Sequence, residues 1–235
     1  MKGFDVFAIL VDPRFTEMLL HGVKLTLVVA IGSWLLAMAL AFGLLAVRML
    51  PNAVPQRAVQ VYVSYHRNVP TLVQLMLWYF GIASLLPNAW QAWLSNHSAE
   101  AVFAIIGLGL CQAAYFCEDL RSGLRAVPLG QTEAARALGH GFLSTLRHVV
   151  MPQATRNALP ALVNHSVSLF KNSSLAMAIG VAELTHAVKE IENLSFRPFE
   201  TYLVASVMYL SASLLIMALG TWLEVRTRVA GQGAR

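Results

Sequence analysis

The chain has 235 residues, of which 57% are hydrophobic and 12% charged, with a formal net charge of +5 and a mean hydropathy of +0.60. An average soluble domain carries roughly 25% charged residues, so a water-soluble globule of this size is under-supplied with charge. A disordered chain, a secreted disulfide scaffold and an ordinary soluble enzyme are excluded, and the lack of a dense basic run argues against a nucleic-acid partner.

A bilayer-crossing helix needs about 20 mainly apolar residues. The N-terminus holds Asp5, Asp12 and Glu17, after which Leu25 to Val47 carries no charge. That run is too long for a signal-peptide core and is expected to be an uncleaved span. Asn68 to Ala99 is a second uncharged run, longer than one span requires, and apolar character also extends back through Val59, Val61, Tyr62 and Val63, so two segments, one spanning and one interfacial, could share that region. Ala101 to Cys117 is a third run. Cys111 and Cys117 lie within it, too far apart for a zinc-type pair, and are expected to be packing residues. Arg156 and Glu183 bracket a fourth run interrupted only by Lys171, and Thr201 to Leu223 is a fifth.

The expectation is an all-α membrane protein of about five transmembrane helices, folded as one domain over residues 1–235. The basic residues set its orientation. With the N-terminus outside, ten of the 17 fall on inner segments (Arg48, Arg57, Arg121, Arg125, Arg136, Arg147, Arg156, Arg226, Arg228 and Arg235). Five fall outside: Lys2, Arg14, Lys24, Lys189 and Arg197. Arg67 and Lys171 remain at or within the spans. This distribution predicts the N-terminus outside and the C-terminus inside. No internal repeat is evident, and five helices enclose a pore poorly, so pairing with a second copy or a related chain is expected.

The inner segment 118–159 is long for a connection, and such loops are usually functional or disordered. Gln131 to Leu138 holds strong helix formers, which Gly139 and Gly141 should stop. A second helical stretch, Phe142 to Met151, should end at Pro152. Ala134 and Leu138 share a face flanked by Ala135 and Ala137, suited either to another protein's close approach or to packing on the chain's own inner ends.

Glu133-Ala134-Ala135, three residues, Gly139, nine residues, Val149, one residue, then Met151-Pro152 resembles the EAA loop of ABC-importer permeases, with Val and Met replacing the usual Ile and Leu. Arg67-Asn68-Val69-Pro70-Thr71-Leu72-Val73-Gln74 is similar to the R-G-T-P-L-L-V-Q segment of polar amino-acid permeases. Ala113-Ala114-Tyr115 with Glu118 and Arg121, the Pro128, Gly130 and Gln131 set, and Lys171-Asn172-Ser173-Ser174-Leu175 followed by Ile179-Gly180 and Glu183-Leu184 match further family segments. The Arg-Asn-Val-Pro variant, with Trp78-Tyr79 and Cys117-Glu118, looks most like permeases of glutamate/aspartate importers. Asn68 and Ser122 stand where the family commonly has glycine.

The resemblance implies a type I ABC-importer permease fold in a bacterial inner membrane. It implies ATPase subunits that bind ATP, so no cofactor on this chain, together with a periplasmic or lipid-anchored substrate-binding protein and an identical or related permease. Segment 118–159 would be the coupling loop, with Glu133 making polar contacts in the ATPase cleft, Ala134 and Ala135 permitting close approach, Gly139 turning the chain and Pro152 closing the motif.

The few polar groups at membrane depth carry the remaining information. A Lys or Arg at mid-bilayer costs about 2.5–3.5 kcal/mol on insertion scales. Lys171, near the middle of the fourth run with Asn164, His165, Ser168, Asn172 and Ser173 for company, either lines a route or interface or snorkels to the surface. Arg67 precedes Asn68, a candidate N-cap, and Pro70, a candidate first-turn residue; that helix start with Arg67 would suit a carboxylate. Alternatively Arg67 is held by lipid phosphates or Glu118. Gln74, on the same face, would bond substrate or another helix. Glu118 and Arg121 form a gate or merely brace their helix. His140 and His148 have no carboxylate cluster, so no metal site is expected. No GxxxxGK[ST] loop is present, and no acid/base grouping suggests an embedded enzyme. An ion-gradient-driven amino-acid carrier is the rival reading.

Overall fold

The computed structural model describes residues 4–96 and 98–227, and every regular element among them is helical. Lys2, Arg228 and Arg235 of the charge distribution lie outside the described residues. After a single turn at Phe7–Leu10, α1 runs over Pro13–Arg48. Asp12 caps it, accepting from the Arg14 amide at 2.9 Å, and Pro13 opens it where no intrahelical amide is needed. Its 36 residues span about 54 Å at 1.5 Å each. The buried face, Gly22, Thr26, Val29, Ser33, Ala37, Ala41 and Leu45, repeats every three or four residues and is mostly small.

α2 (Ala53–Asn68) and α3 (Thr71–Met76, extended by tighter and wider turns to Leu85) meet at a 109° bend. α4 (Asn88–Ser95) follows after Pro87. α5 (Ala99–Arg125) is the central helix, packed by α1, α2, α3 and α7. α6 (Leu129–Ala137) begins the inner segment, and a turn at Phe142–Thr145 and a wide turn at Leu146–Val150 lead into α7 (Met151–Asn172). A tight 3-10 stretch, Ser173–Ile179, and Gly180 at φ +93° then reverse the chain into α8 (Leu184–Ser195), and α9 (Pro198–Thr227) closes the described residues.

Three helices are long and apolar enough to cross a membrane: α1, α5 and α9; the bent pair α2 and α3 makes a fourth if counted as one span. α7 falls short on hydropathy because it carries the polar face, although its 22 residues reach about 33 Å. It sits against α5, where a Cβ added to Gly123 would lie 2.3 Å from the Ala154 carbonyl oxygen and 2.8 Å from the Ala158 side chain. Only glycine permits that crossing. Three apolar clusters run along the bundle: one around Phe116 and Leu120, a second around Leu75, Leu108 and Leu169, and a third around Val188 and Ile191. The last is pinned by Glu183, fully buried, whose carboxylate accepts from the Thr185 and His186 amides at 3.0 Å and from the Tyr209 hydroxyl at 2.9 Å.

Several sequence expectations are corrected. The long uncharged run from Asn68 holds two helices, α3 and α4, parted at Pro87, where its length left room for two segments; Pro70 marks the earlier break between α2 and α3. Asn68 does not cap α3. It is the last residue of α2, its side chain donates to the Ser64 carbonyl at 2.7 Å, and Pro70 itself occupies the cap position with no side-chain bond. Pro152 does not end a helix. The wide turn at Leu146–Val150 shifts the preceding carbonyls away from its ring, so the helix passes through with Pro152 in its first turn. The fourth run is likewise not one helix: Lys171 stands in the last turn of α7, just before the 3-10 stretch, rather than at its middle.

Candidate functional site

α5 and α7 each present a face with the spacing i, i+3, i+4, i+7 to a shared cavity of about 320 Å³. From α5 come Leu108, Cys111, Gln112 and Tyr115; from α7 come His165, Ser168, Leu169 and Asn172, with Lys171 at the mouth and Thr71 from the start of α3. The volume is at the lower end of ligand pockets, roughly 300–1,000 Å³. Gln112 is 4% exposed, and its Nε2 is buried with no hydrogen-bond partner. A buried donor without an acceptor is uncommon in folded proteins. Gln112 is one of the residues that line the cavity.

The surroundings set the charge. The Arg67 guanidinium lies over the Tyr115 ring, 5.5 Å from its centroid, a cation–π placement that holds a positive charge beside the cavity. His165 shares a hydrogen bond of 2.6 Å between its Nδ1 and Asp119 Oδ2, linking α7 to α5. With Nδ1 engaged, Nε2 is the ring nitrogen left for other partners.

The residues singled out from sequence divide. Lys171 and Asn172 line the cavity, and Arg67 reaches it through Tyr115. Asn68 is turned back on α2. Ser173 is fully buried, with its hydroxyl donating to the Phe170 carbonyl at 2.7 Å. Gln74 does not face the cavity: it is 1% exposed and bonds the preceding helix. Its Nε2 donates to the His66 and Val69 carbonyls at 3.0 and 2.7 Å, while its Oε1 meets His66 Nδ1 at 2.5 Å. It therefore staples the bend between α2 and α3. Gln112 and Asp119 escaped the sequence reading, while His165, named there as company for Lys171, lines the cavity. The signal was available in the polar residues Gln112 and Tyr115 at i, i+3 on an otherwise apolar helix.

Glu118 is a brace in this geometry. It pairs with Arg48 of α1 and lies 3.6 Å from Arg121.

The inner segment forms the helix expected of it. Gly139 follows α6 at φ +87°, the left-handed conformation that glycine adopts freely. Ala135 is 5% exposed and turned inward, so its small side chain serves the packing of α6 on the wide turn. Glu133 and Ala134 point outward. Around them Leu129 and Leu138 are 80% and 83% exposed, and Phe142 and Leu143 66% and 73%. An apolar cluster of that kind outside the lipid-facing helices marks a protein contact.

Comparison with known proteins places this architecture. The family described as "Binding-protein-dependent transport system inner membrane component" matches residues 25–229. The nopaline transport system permease protein NocM of Agrobacterium fabrum is 36% identical, covering 91% of each chain. The glutamate/aspartate import permease protein GltJ of Escherichia coli K12 is 30% identical, covering 89% of this chain and 87% of GltJ. A solved structure described as "Crystal structure of an amino acid ABC transporter with histidines" superposes with a TM-score of 0.83 at 27% identity, covering 95% of this chain and 99% of that one. Neither the fold nor these relatives support a gradient-driven carrier or an enzyme, and the chain belongs to the binding-protein-dependent inner-membrane transport family, as a permease subunit of an amino-acid ABC importer.

Proposed function

We propose that this permease carries an acidic amino acid, glutamate or aspartate, through the cavity between α5 and α7. The observation that carries the reading is the unpartnered Gln112 amide in a cavity bordered by two cations, Lys171 and Arg67. Lys171 and Asn172 would receive a substrate carboxylate, and the Gln112 amide would supply the donor that now lacks an acceptor. Asp119, hydrogen-bonded to the cavity's His165, brings a carboxylate beside the cavity. It suits the single ammonium of an amino acid better than a second basic group. The placement of Arg67 next to the start of α3 favours an anionic end further. Asn68, Gln74 and Ser173 then shape the route without touching its contents.

The working cycle follows from how the elements are joined. ATPase subunits would seat α6 through Glu133, Ala134 and the surrounding leucines and phenylalanine, with a substrate-binding protein on the opposite face and a second permease, identical or related, completing the pathway. α6 packs on the wide turn Leu146–Val150, which runs without interruption into α7. A displacement of α6 is thus passed along α7 to Lys171 and Asn172 at its far end. Pro152 lies at the junction of wide turn and helix, where a missing backbone hydrogen bond eases bending. The 118–159 segment acts as the lever, and residues 1–235 as one unit with the N-terminus periplasmic and the C-terminus cytoplasmic.

The test is uptake by proteoliposomes holding the permease with its ATPase and binding protein. Glutamate and aspartate should compete best for transport, and Lys171→Met should raise KM for them roughly 10-fold or more, the loss of one charge-assisted hydrogen bond. Competition by arginine or histidine alone, or unchanged kinetics in Lys171→Met, would remove the acidic-substrate reading.

A further inference from the structure

A second concavity, about 400 Å³, sits where α1 ends, α2 begins and α5 ends. Its polar wall is Arg48, Arg121 and Arg125, with Gln60 of α2 facing them. Its other wall is apolar: Leu45, Met49 and Leu124. Among the described residues, Glu118 is the only acid paired with this set. It holds Arg48 and Arg121 and leaves Arg125 with no ion-pair partner among the described residues. Three guanidinium groups against one carboxylate leave the cavity with an excess of two positive charges.

Its depth is fixed by the helices that form it. Arg48 ends the long apolar α1, and Arg125 ends α5, with three residues between it and the start of α6 at Leu129. The cavity therefore lies at the hydrocarbon boundary on the side of the coupling loop. Its apolar wall continues into the outward surface of α1, where Phe42 and Met49 are 42% and 44% exposed. Basic pockets between spanning helices on the cytoplasmic side suit acidic headgroups.

We propose that this cavity binds an anionic phospholipid, its headgroup phosphate on Arg121 and Arg125 and its glycerol and first acyl carbons on Leu45, Met49 and Leu124. A soluble phosphate would use the arginines but not the apolar wall, which is why the lipid is the favoured source. A lipid seated there bridges α1, α2 and α5 just ahead of α6, where it would brace the base of the lever.

Native mass spectrometry of the full chain in its assembled transporter, titrated with phosphatidylglycerol or phosphatidylcholine, tests this. Phosphatidylglycerol should bind saturably and about tenfold more tightly, excess inorganic phosphate should fail to displace it, and Arg125→Gln should weaken it about fivefold. Gln60→Glu, which places a carboxylate opposite the arginines, should abolish the preference. Both positions are exposed, so folding is preserved, and unchanged melting temperatures verify it. Equal binding of the two lipids, wild-type affinity in both variants, or full displacement by inorganic phosphate would overturn the proposal. So would loss of the lipid whenever the ATPase subunits are assembled, which would assign the cavity to a protein contact.

Discussion

Gln74 and Gln112 are both almost fully enclosed, at 1% and 4% exposure, yet their amides meet opposite fates. Gln74 makes three hydrogen bonds across the bend between α2 and α3. Replacing it with leucine takes the amide donor from the Val69 carbonyl and the partner from His66 Nδ1, and leaves the His66 carbonyl only the weak Cys111 thiol, so Gln74→Leu should lower stability by about 1–3 kcal/mol, read as a thermal melt in detergent. Gln112 has a buried Nε2 with nothing to donate to. Gln112→Leu removes an unsatisfied donor, so the melting temperature should hold or rise. Uptake at low substrate should nevertheless fall roughly tenfold if that donor meets the substrate. A melt and an uptake assay on the same two variants separate a structural amide from a functional one; a destabilised Gln112→Leu would place it with Gln74. Nothing in the sequence distinguishes them, since both are lone amides in uncharged runs. Hydrogen-bond satisfaction depends on what the chain brings alongside.

Helices were largely legible and their interruptions were not. α1, α5 and α9 follow from uncharged runs, because burial in lipid demands apolar side chains along the whole length. Pro70 signalled a helix start at α3 and the length of the run left room for a second segment, but hydropathy counts side chains and is blind to the 109° bend between α2 and α3 and to the break at Pro87 that sets α4 apart. The end of α7 was hidden for a related reason. Ser173–Ile179 is as apolar as a helix, but it tightens there, and Gly180 at φ +93° turns the chain, moving Lys171 from an expected mid-span position to a helix end. Gly139 is the case where sequence and backbone agree. It was expected to stop α6 and does so at φ +87°, a conformation that costs an L-residue about 1–2 kcal/mol and a β-branched one more. Gly139→Val should leave the spans and membrane insertion intact, because no packing lies within reach of an added Cβ, while the α6 exit is redirected. Transport should then fall sharply at unchanged expression, and normal uptake would show that the turn does not set the position of α6.

Across the whole molecule, two kinds of exposed apolar surface are present, and they have different owners. The outward leucines, valines and phenylalanines of α1 and α9 suit lipid, since each of those helices holds an apolar stretch long enough to cross a membrane. Leu129, Leu138, Phe142 and Leu143 lie beyond the spans, where lipid does not cover them, and surround the outward Glu133. A contact of this composition draws affinity from the apolar side chains and register from the charge. Glu133→Lys keeps the apolar area but reverses the charge at its centre. Because Glu133 is exposed and has no ion pair among the described residues, the substitution should leave insertion and melting temperature unchanged. Assembly with the ATPase should weaken by 10-fold or more, as expected when like charges are brought together at an interface, and substrate-stimulated ATP hydrolysis should fall with uptake. Both losses are expected from one substitution, since α6 follows directly on α5 and packs on the wide turn that leads into α7, and both of those helices line the cavity. If ATPase assembly stays intact while uptake fails, the fault lies beyond the contact, along α7 or α5.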